Sequence, residues 1–110
     1  MLLATDVWVG ALIRRAEIAG AFAMVARKGD ARAGSVVVRA INSRTRRSRL
    51  YTEAFGADGE RMWMEPVADG AEDALDRYVE KARRVDPDLW VVEIEDGEGR
   101  HFLTEPVAKP

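Results

Sequence analysis

The stretch Asp86–Leu103, DPDLWVVEIEDGEGRHFL, contains a nearly continuous run of strand-forming residues that begins one residue after a proline. Pro87 disfavours helical geometry at Asp86, so a preceding helix is expected to end there. In the strand from Leu89 to Glu95, alternate side chains point to opposite faces of the pleat, and one face carries Trp90, Val92 and Ile94. The other face begins with Leu89 and Val91 and ends with glutamates. A strand that is apolar on both faces is typical of the interior of a sheet, where neighbouring strands and helices cover it.

Composition bounds the class of protein. The chain has 110 residues, 47% hydrophobic and 33% charged, with a net charge of -2. These values predict one globular domain, and they favour neither a nucleic acid nor an acidic surface as a partner. The absence of cysteine excludes disulfides, thiolate metal sites and a cysteine nucleophile, and it is consistent with the cytoplasm. The apolar segment Met1–Ile13 is interrupted by Asp6 and is too short to span a membrane.

Helical spacing of apolar residues predicts two helices. The first is capped by Thr5 or Asp6 and ends at Gly20, with an inner stripe of Trp8, Val9, Leu12, Ile13, Ala16 and Ala19. The second begins after Asp69, which has capping-box spacing with Glu72, and its stripe consists of Ala71, Ala74, Leu75, Tyr78, Val79, Ala82 and Val85. The helices are therefore expected to lie on a sheet.

Four strands are predicted between the helices. Phe22–Lys28 and Ser35–Ile41 are expected to pair as a hairpin, and Arg49–Phe55 and Arg61–Val67 follow, joined by a turn at Asp58-Gly59. These strands form a meander.

The assembled prediction is a two-layer α+β domain. Its sheet is mostly antiparallel and has five to six strands, the last being Arg100–Leu103, and both helices pack on one face. The strand that begins at Leu89 is placed beside the strand that begins at Phe22. The domain covers residues 1–103, and residues 104–110 are expected to fray because they contain two prolines and no periodicity.

A partner surface is predicted on the sheet face that both helices leave open. Trp8 and Trp90 lie on predicted inner faces and are assigned to the core. Trp63 alternates away from Met62 and Met64, so it is expected to be partly exposed. Tyr51 and Phe55 are expected beside it, with Leu89 and Val91 on the same side, and an exposed apolar patch of this kind indicates a protein partner or self-association.

An arginine-rich loop is the second candidate site. Arg44, Arg46, Arg47 and Arg49 give a local charge of +4 over Ser43 to Arg49, a segment without acids. Guanidinium groups bind phosphates and Tyr51 could stack on a base, so an anion or nucleic-acid contact is one hypothesis. A solvated hairpin tip is the favoured alternative, because a dedicated nucleic-acid binder is normally basic over the whole domain.

Chemical motifs for catalysis, metals or cofactors are not found. The acids near the C-terminus have no cation-loop spacing, and His101 is the only histidine, which without cysteines could bind zinc only together with carboxylates. The sequence has neither a glycine-rich phosphate loop nor a GxSxG elbow. No catalytic, metal or cofactor residue is therefore assigned, although an enzyme with an unrecognised carboxylate or histidine site remains an alternative.

Three segments carry a family resemblance. DVWVGALIRR at Asp6–Arg15, GSVVVR at Gly34–Arg39, and DPDLWVVEIED followed by GRHFL resemble the alphaproteobacterial family catalogued as domain of unknown function 1491. The resemblance covers nearly the whole chain and implies a small cytosolic bacterial protein, but it carries over no functional residues. The resulting hypothesis is a non-enzymatic interaction module that self-associates or binds a protein, with nucleic-acid binding and catalysis as alternatives.

Overall fold

The computed structural model describes residues 3–68 and 71–108. In chain order they form α1 (Thr5–Ile18), β1 (Phe22–Arg27), β2 (Val36–Asn42), β3 (Ser48–Phe55), β4 (Arg61–Met64), α2 (Glu72–Val85), β5 (Trp90–Asp96) and β6 (Val107–Ala108). The strands build one sheet in the order β1-β5-β2-β3-β4-β6. β5 pairs antiparallel with β1 and parallel with β2, so the organising strand is interior, as predicted.

The predicted hairpin between β1 and β2 is wrong, because β5 lies between these two strands. The connecting segment instead packs against the chain that enters β5. The Trp90 indole nitrogen Nε1 donates a hydrogen bond to the carbonyl oxygen of Asp30 at 2.7 Å, and the Asp30 N–H donates to the carbonyl oxygen of Asp88 at 3.0 Å. The placement of β5 beside β1 was predicted correctly.

Each helix covers a different face of the sheet. Val36 and Val38 of β2 lie in the core cluster that includes Trp8 of α1, whereas Val37 belongs to the cluster that includes Leu75 of α2. The α+β class, the mostly antiparallel sheet and the two helices are confirmed. The two-layer arrangement with both helices on one face is wrong, since the interior strands are apolar on both faces and each face is covered.

The N-terminal end of α1 differs from the prediction, whereas its C-terminal end agrees with it. The N-cap is Ala4 and makes no side-chain cap, while the Thr5 hydroxyl donates a hydrogen bond to the carbonyl oxygen of Gly34 at 2.9 Å. The predicted stop at Gly20 is confirmed: its φ is 91°, its N–H donates to the Glu17 carbonyl at 3.0 Å, and the Ala21 N–H donates to the Ala16 carbonyl at 2.9 Å. This pattern satisfies the last carbonyl groups of the helix.

The start of α2 is fixed to the sheet by a buried arginine. Asp69 of the predicted capping box lies outside the described residues, and the helix begins after Ala71, which makes no side-chain cap. Arg39 of β2 contacts Glu72 at 2.7 Å and Asp76 at 2.8 Å, both within the first turns of α2. The helix therefore begins at a defined point above β2.

The C-terminal segment is ordered where the sequence predicted fraying. The predicted strand Arg100–Leu103 has no strand structure, and Phe102 adopts a φ of 60°. Further on, β6 pairs parallel with β4, and the Trp63 N–H donates to the carbonyl oxygen of Pro106 at 2.9 Å. The tail thus forms an edge of the sheet up to Ala108, and residues 109–110 lie outside the described part.

Candidate functional site

The predicted partner surface is largely buried. Trp63 is 0% exposed and Tyr51 is 4% exposed, so the prediction that Trp63 reaches solvent is wrong. Leu89 and Val91 are buried too, under α2. Of the three residues assigned to the surface, Phe55 alone is exposed, at 59%. The prediction that these residues share one open face is also wrong: Trp63 and Tyr51 lie on the face that α1 covers, and Leu89 and Val91 lie on the opposite face, which α2 covers.

Trp63 is held by a group of aromatic and charged side chains. Its ring stacks on Trp8 with ring centroids 5.3 Å apart, and the two indole nitrogens donate to separate oxygens of Glu105 at 3.0 Å and 3.2 Å. The Arg61 guanidinium lies 5.2 Å from the centroid of the Trp8 ring. This arrangement locks α1, β4 and the C-terminal segment together, and it keeps both tryptophan rings inside the domain.

The side of α1 that faces away from the sheet is unusually apolar. The residues exposed there, which we name the α1 outer face, include two with charge, Arg14 and Glu17, and otherwise small and apolar ones: Leu3 just before the helix, Val7, Gly10, Ala11 and Ile18. Ile18 is 76% exposed, Leu3 58% and Val7 55%. An apolar surface of this kind on a folded domain indicates an interaction site.

α2 provides an internal comparison. Its outward residues at the same spacing are all charged and exposed: Asp73, Arg77, Glu80 and Arg84. Glu80 also forms an exposed ion pair with Arg84 at 3.9 Å. A helix whose outer side faces water typically has this composition, so α1 departs from the pattern that α2 follows.

The free edge of the sheet at β1 is a weaker candidate. Phe22 and Met24 are exposed there, but a register shift between Val25 and Arg27 interrupts the pairing with β5. Arg27 donates hydrogen bonds to the carbonyl oxygens of Leu89 and Pro87, at 2.6 Å and 3.1 Å, so its charge lies at the end of this edge. A bulge and a charge are the usual means by which an edge strand avoids pairing with another chain.

The four arginines of the predicted anion site do not converge. Arg47 and Arg49 line a cavity of about 450 Å³ between the β2–β3 turn and the segments around Glu65 and Glu98. Arg46 lies in the turn, with a φ of 63°, and Arg44 packs against Gly97. The pair in the cavity is the part of the loop that could contact one ligand.

Acids oppose the two arginines of this cavity. Glu65 lies 3.6 Å from Arg49, and Glu98 also lines the wall. Burial, and secondarily Glu65, raise the pKa of Tyr51, against the lowering effect of Arg49, so the phenol stays protonated at neutral pH. Two arginines and two glutamates therefore line the cavity, so the attraction of its wall for an anion is weakened.

His101 packs behind Tyr51 and does not line the cavity. The rings meet edge to face with centroids 4.9 Å apart, and Nδ1 accepts a hydrogen bond from the Leu103 N–H at 2.9 Å. Burial lowers its pKa, against a smaller opposite effect of Glu65, which favours the neutral imidazole. These contacts explain His101 as a structural residue.

Asp96, one of the acids near the C-terminus, stabilises the turn that follows β5. Asp96 accepts hydrogen bonds from the Arg100 guanidinium and from the backbone N–H groups of Arg100 and Glu98, which together hold the pKa of Asp96 well below its usual range. Within residues 3–68 and 71–108, no group of three or more histidine or acidic side chains is placed to bind a metal. Neither of the two helices in this part of the chain is long and apolar enough to cross a membrane.

Comparisons with known proteins place the fold in a described group. A family model, "Protein of unknown function (DUF1491)", matches residues 3–104. A crystal structure of a DUF1491 family protein from Caulobacter crescentus is 64% identical, with a TM-score of 0.94, and the match covers 97% of this chain and 100% of that chain. An NMR structure of a DUF1491 family protein from the same organism is also 64% identical. Its TM-score is 0.91, and the match covers 99% of each chain.

A structure with lower sequence identity has the same fold. The solution structure of protein Atu0922 from A. tumefaciens is 36% identical, with a TM-score of 0.81, over 100% of this chain and 98% of that chain. None of the curated proteins compared with the chain matches it. The resemblance found in the sequence is confirmed.

Proposed function

We propose that this chain, which belongs to the DUF1491 family of proteins of unknown function, is a non-enzymatic protein-interaction module that binds through the α1 outer face. One observation carries the proposal: the two helices cover opposite faces of one sheet, yet the outer side of α2 carries charged residues whereas that of α1 exposes the large apolar residues Val7 and Ile18. A partner that covers α1 would give its outer side the environment that its composition requires.

The energetic case rests on exposed apolar side chains. Burial of apolar surface contributes about 25 cal/mol per Å², and a large aliphatic side chain contributes roughly 1.5–3 kcal/mol when it is fully buried. Ile18, Leu3 and Val7 are each more than half exposed, so a partner could bury most of each.

An enzymatic function has less support. The cavity beside β3 contains the carboxylates Glu65 and Glu98, but His101 is not among its lining residues. Its Nδ1 is already hydrogen bonded to the backbone. A general base must reach the substrate from a pocket, and these positions do not bring an acid and a base to one point.

Anion binding by Arg47 and Arg49 is a second candidate, favoured because both line one cavity. We expect it to be weak, since Glu65 and Glu98 oppose the two charges. A mobility-shift titration with single-stranded nucleic acid at low salt, comparing the native chain with Arg47→Ala/Arg49→Ala, measures it. Equal and negligible binding by both forms would remove this candidate.

The main proposal is tested by photo-crosslinking in the native host. A benzoylphenylalanine placed at position 7 or 18 is expected to form a discrete covalent adduct with protein, because both positions lie on the α1 outer face. The matched control carries the same group at position 77, on the charged outer side of α2, and is expected to form none.

The adduct must also depend on the surface itself. Adding Ala11→Glu, which places a charge at the centre of the α1 outer face, is expected to abolish the adduct at position 18. Equal labelling from positions 7, 18 and 77, or no adduct from α1, would contradict the proposal. Circular dichroism of each variant verifies that the fold persists.

A further inference from the structure

We propose that the cavity beside β3 binds a free α-amino acid, whose carboxylate pairs with Arg49 and whose ammonium group pairs with Glu65. The residues that line this cavity come from β2, β3, the turn between them and the segments that follow β4 and β5. The inference therefore goes beyond the proposed function of α1 and does not depend on it. A wall with charges of both signs weakens the attraction for a simple anion, but it matches a ligand that carries both signs.

The sheet brings the charged residues of the wall together. Arg49 and Tyr51 are two residues apart in β3, so they point to the same face, and Arg49 is paired with Ala40 of β2. The small side chain of Ala40 leaves space above the sheet. Glu65 comes directly after β4, the other neighbour of β3, and lines the same cavity. A basic and an acidic residue from adjacent strands therefore face one cavity.

Glu65 is the unusual member of this wall. Its side chain is 10% exposed, yet no residue in the described part of the chain donates a hydrogen bond to its carboxylate, and its ion pair with Arg49 is 3.6 Å long. The side chain of Glu98, the other acid of the wall, is 70% exposed and is solvated. A carboxylate that is nine-tenths buried normally accepts hydrogen bonds. An ammonium group, which has three N–H donors, would supply them from the cavity.

Arg49 and Tyr51 provide the half of the site that would bind the ligand carboxylate. The Arg49 guanidinium is largely exposed to the cavity and has the geometry to donate two parallel hydrogen bonds to a carboxylate. The Tyr51 phenol lies near both charges, since burial and then Glu65 raise its pKa and Arg49 lowers it. The phenol is therefore protonated and offers a further O–H donor beside Arg49.

The spacing of the two charges sets the class of ligand. Because Glu65 and Arg49 are 3.6 Å apart, a ligand that pairs with both must carry its own two charges on neighbouring groups. The ammonium and carboxylate groups of an α-amino acid are attached to one carbon and meet this condition. The cavity of about 450 Å³ leaves room for a side chain. Arg47 donates hydrogen bonds and Glu98 accepts them at this wall, so the amide of glutamine is a suitable side chain.

Charged residues next to the cavity have partners within the chain. Glu72, which accepts a hydrogen bond from Ser48 of the wall, pairs with Arg39 at 2.7 Å. Arg100 pairs with Asp96 at 2.9 Å and lies 3.5 Å from Glu98. The wall itself carries two arginines and two glutamates within the described residues, so a ligand without net charge matches it.

A nuclear magnetic resonance titration of the full chain tests the site, with L-glutamine as the first probe and the other common α-amino acids in parallel. Saturable shifts are expected at the backbone amides of Arg49, Tyr51 and Glu65, with a dissociation constant on the order of 0.1–1 mM for a small ligand in an open cavity. N-acetylglutamine lacks the ammonium charge and glutamine α-amide lacks the carboxylate. Each is expected to bind at least tenfold more weakly than glutamine.

Substitutions assign each charge of the ligand to its partner. Glu65→Gln keeps the shape of the side chain and removes its charge, so it is expected to weaken glutamine binding at least tenfold and to abolish the preference over N-acetylglutamine. Arg49→Ala is expected to abolish the preference over glutamine α-amide. A purely structural role of either residue would leave these preferences unchanged. Glu60→Gln is the matched control, because it makes the same substitution at an exposed position before β4 and should leave binding unchanged.

Three results would overturn the inference. The first is the absence of saturable shifts with every amino acid at about 20 mM, well above the expected dissociation constant. The second is equal binding of glutamine and its two singly charged derivatives. The third is tighter binding of inorganic phosphate than of glutamine, which would favour the anion site instead. None of these results would affect the adducts expected from α1, so the proposed function stands or falls separately.

Discussion

Replacing Gly29 by alanine is expected to lower the free energy of unfolding by about 2–4 kcal/mol, the upper range for overpacking a closely packed site. A Cβ at this position would overlap the carbonyl oxygen of Asp88 and lie 2.6 Å from Cδ1 of the Trp90 ring. The obstacles are a backbone carbonyl and a buried ring, neither of which can rotate away. For a domain of this size the change corresponds to a decrease of roughly 10–25 °C in the midpoint of thermal unfolding.

The surrounding hydrogen bonds explain why the loop cannot shift to relieve the overlap. Asp30 donates to Asp88 through its N–H and accepts from the Trp90 indole through its carbonyl, so the loop is tied to the start of β5 at two points. Gly34 approaches the same carbonyl oxygen, and its Cβ would lie 2.9 Å from the Trp90 ring. Moving the loop away from β5 would break these contacts.

Gly10→Ala is the matched control with the opposite sign. Gly10 is in α1 with open space around its Cβ position, so alanine should raise stability by about 0.5–1 kcal/mol through helix propensity. Thermal and urea unfolding, at the same protein concentration, compare the two variants. A Gly29→Ala protein as stable as the native chain would contradict the packing described at β5.

The organising strand shows what local pattern can predict. Trp90, Val92 and Ile94 alternate as expected and are buried, and Pro87 follows the end of α2 at Val85. Alternation and helical spacing depend only on neighbouring residues, so they are visible in one sequence. Trp8 was assigned to the core for the same reason, and the assignment is confirmed.

Strand order and helix placement depend on the whole chain. The Gly29-Asp30 segment has the composition of a hairpin turn, yet it crosses the start of β5, because β5 returns from the far end of the chain to lie beside β2. No local signal distinguishes a hairpin turn from a segment that crosses the start of another strand. The position of Trp63 followed from the same error: it does alternate with Met62 and Met64, but the face opposite the two methionines is the one that α1 covers.

The candidate sites, too, were visible in the sequence where they depend on neighbouring residues and invisible where they depend on the whole chain. The arginine-rich turn was visible as a run of charge, but the acids that oppose it, such as Glu65, come from another strand end. The α1 outer face had a signal in the sequence that was not used, since Val7, Gly10, Ala11 and Ile18 recur at helical spacing on the side away from Leu12 and Ala16. A second apolar stripe, on a helix whose first stripe is already assigned to the core, by itself indicates an interaction surface.

Glu105→Ala is expected to cost about 2–4 kcal/mol of folding free energy, because two buried indole N–H groups would lose their acceptor at roughly 1–3 kcal/mol each. The residue lies in the segment predicted to fray, and its role was not visible in the sequence. Loss of the carboxylate should also loosen β6, which pairs with Trp63. Faster amide exchange at Trp63 reports this effect.

Glu105→Gln separates the shape of the side chain from its charge. Its amide oxygen can accept one indole hydrogen bond, but its NH₂ group would face the other indole donor, so we expect a smaller loss, on the order of 1–2 kcal/mol. Glu17→Gln is the control, because it makes the same substitution at an exposed position of α1 and should change stability by less than about 0.5 kcal/mol.

The same contacts predict a dependence on pH. Burial acts to raise the pKa of Glu105, but the hydrogen bonds from Trp63 and Trp8, its own backbone N–H and the charge of Arg61 outweigh it and hold the pKa below the ordinary 4.5. Since the folded-state pKa is depressed, the ionised carboxylate stabilises the fold above pH 4.5, and this contribution is lost as pH falls through the lower folded-state value. The stability of the Glu105→Gln variant should therefore decrease less in acid than that of the native chain.

The tryptophan indole signals make this measurable in one sample. The Nε1–H resonances of Trp8 and Trp63 are expected to shift together in a pH titration, with a midpoint below 4.5, because both donate to Glu105. Trp90 donates to a backbone carbonyl instead and should not follow, so it serves as an internal control. A midpoint at or above 4.5, or a Trp63 signal that ignores the titration, would show that the carboxylate does not hold the two rings.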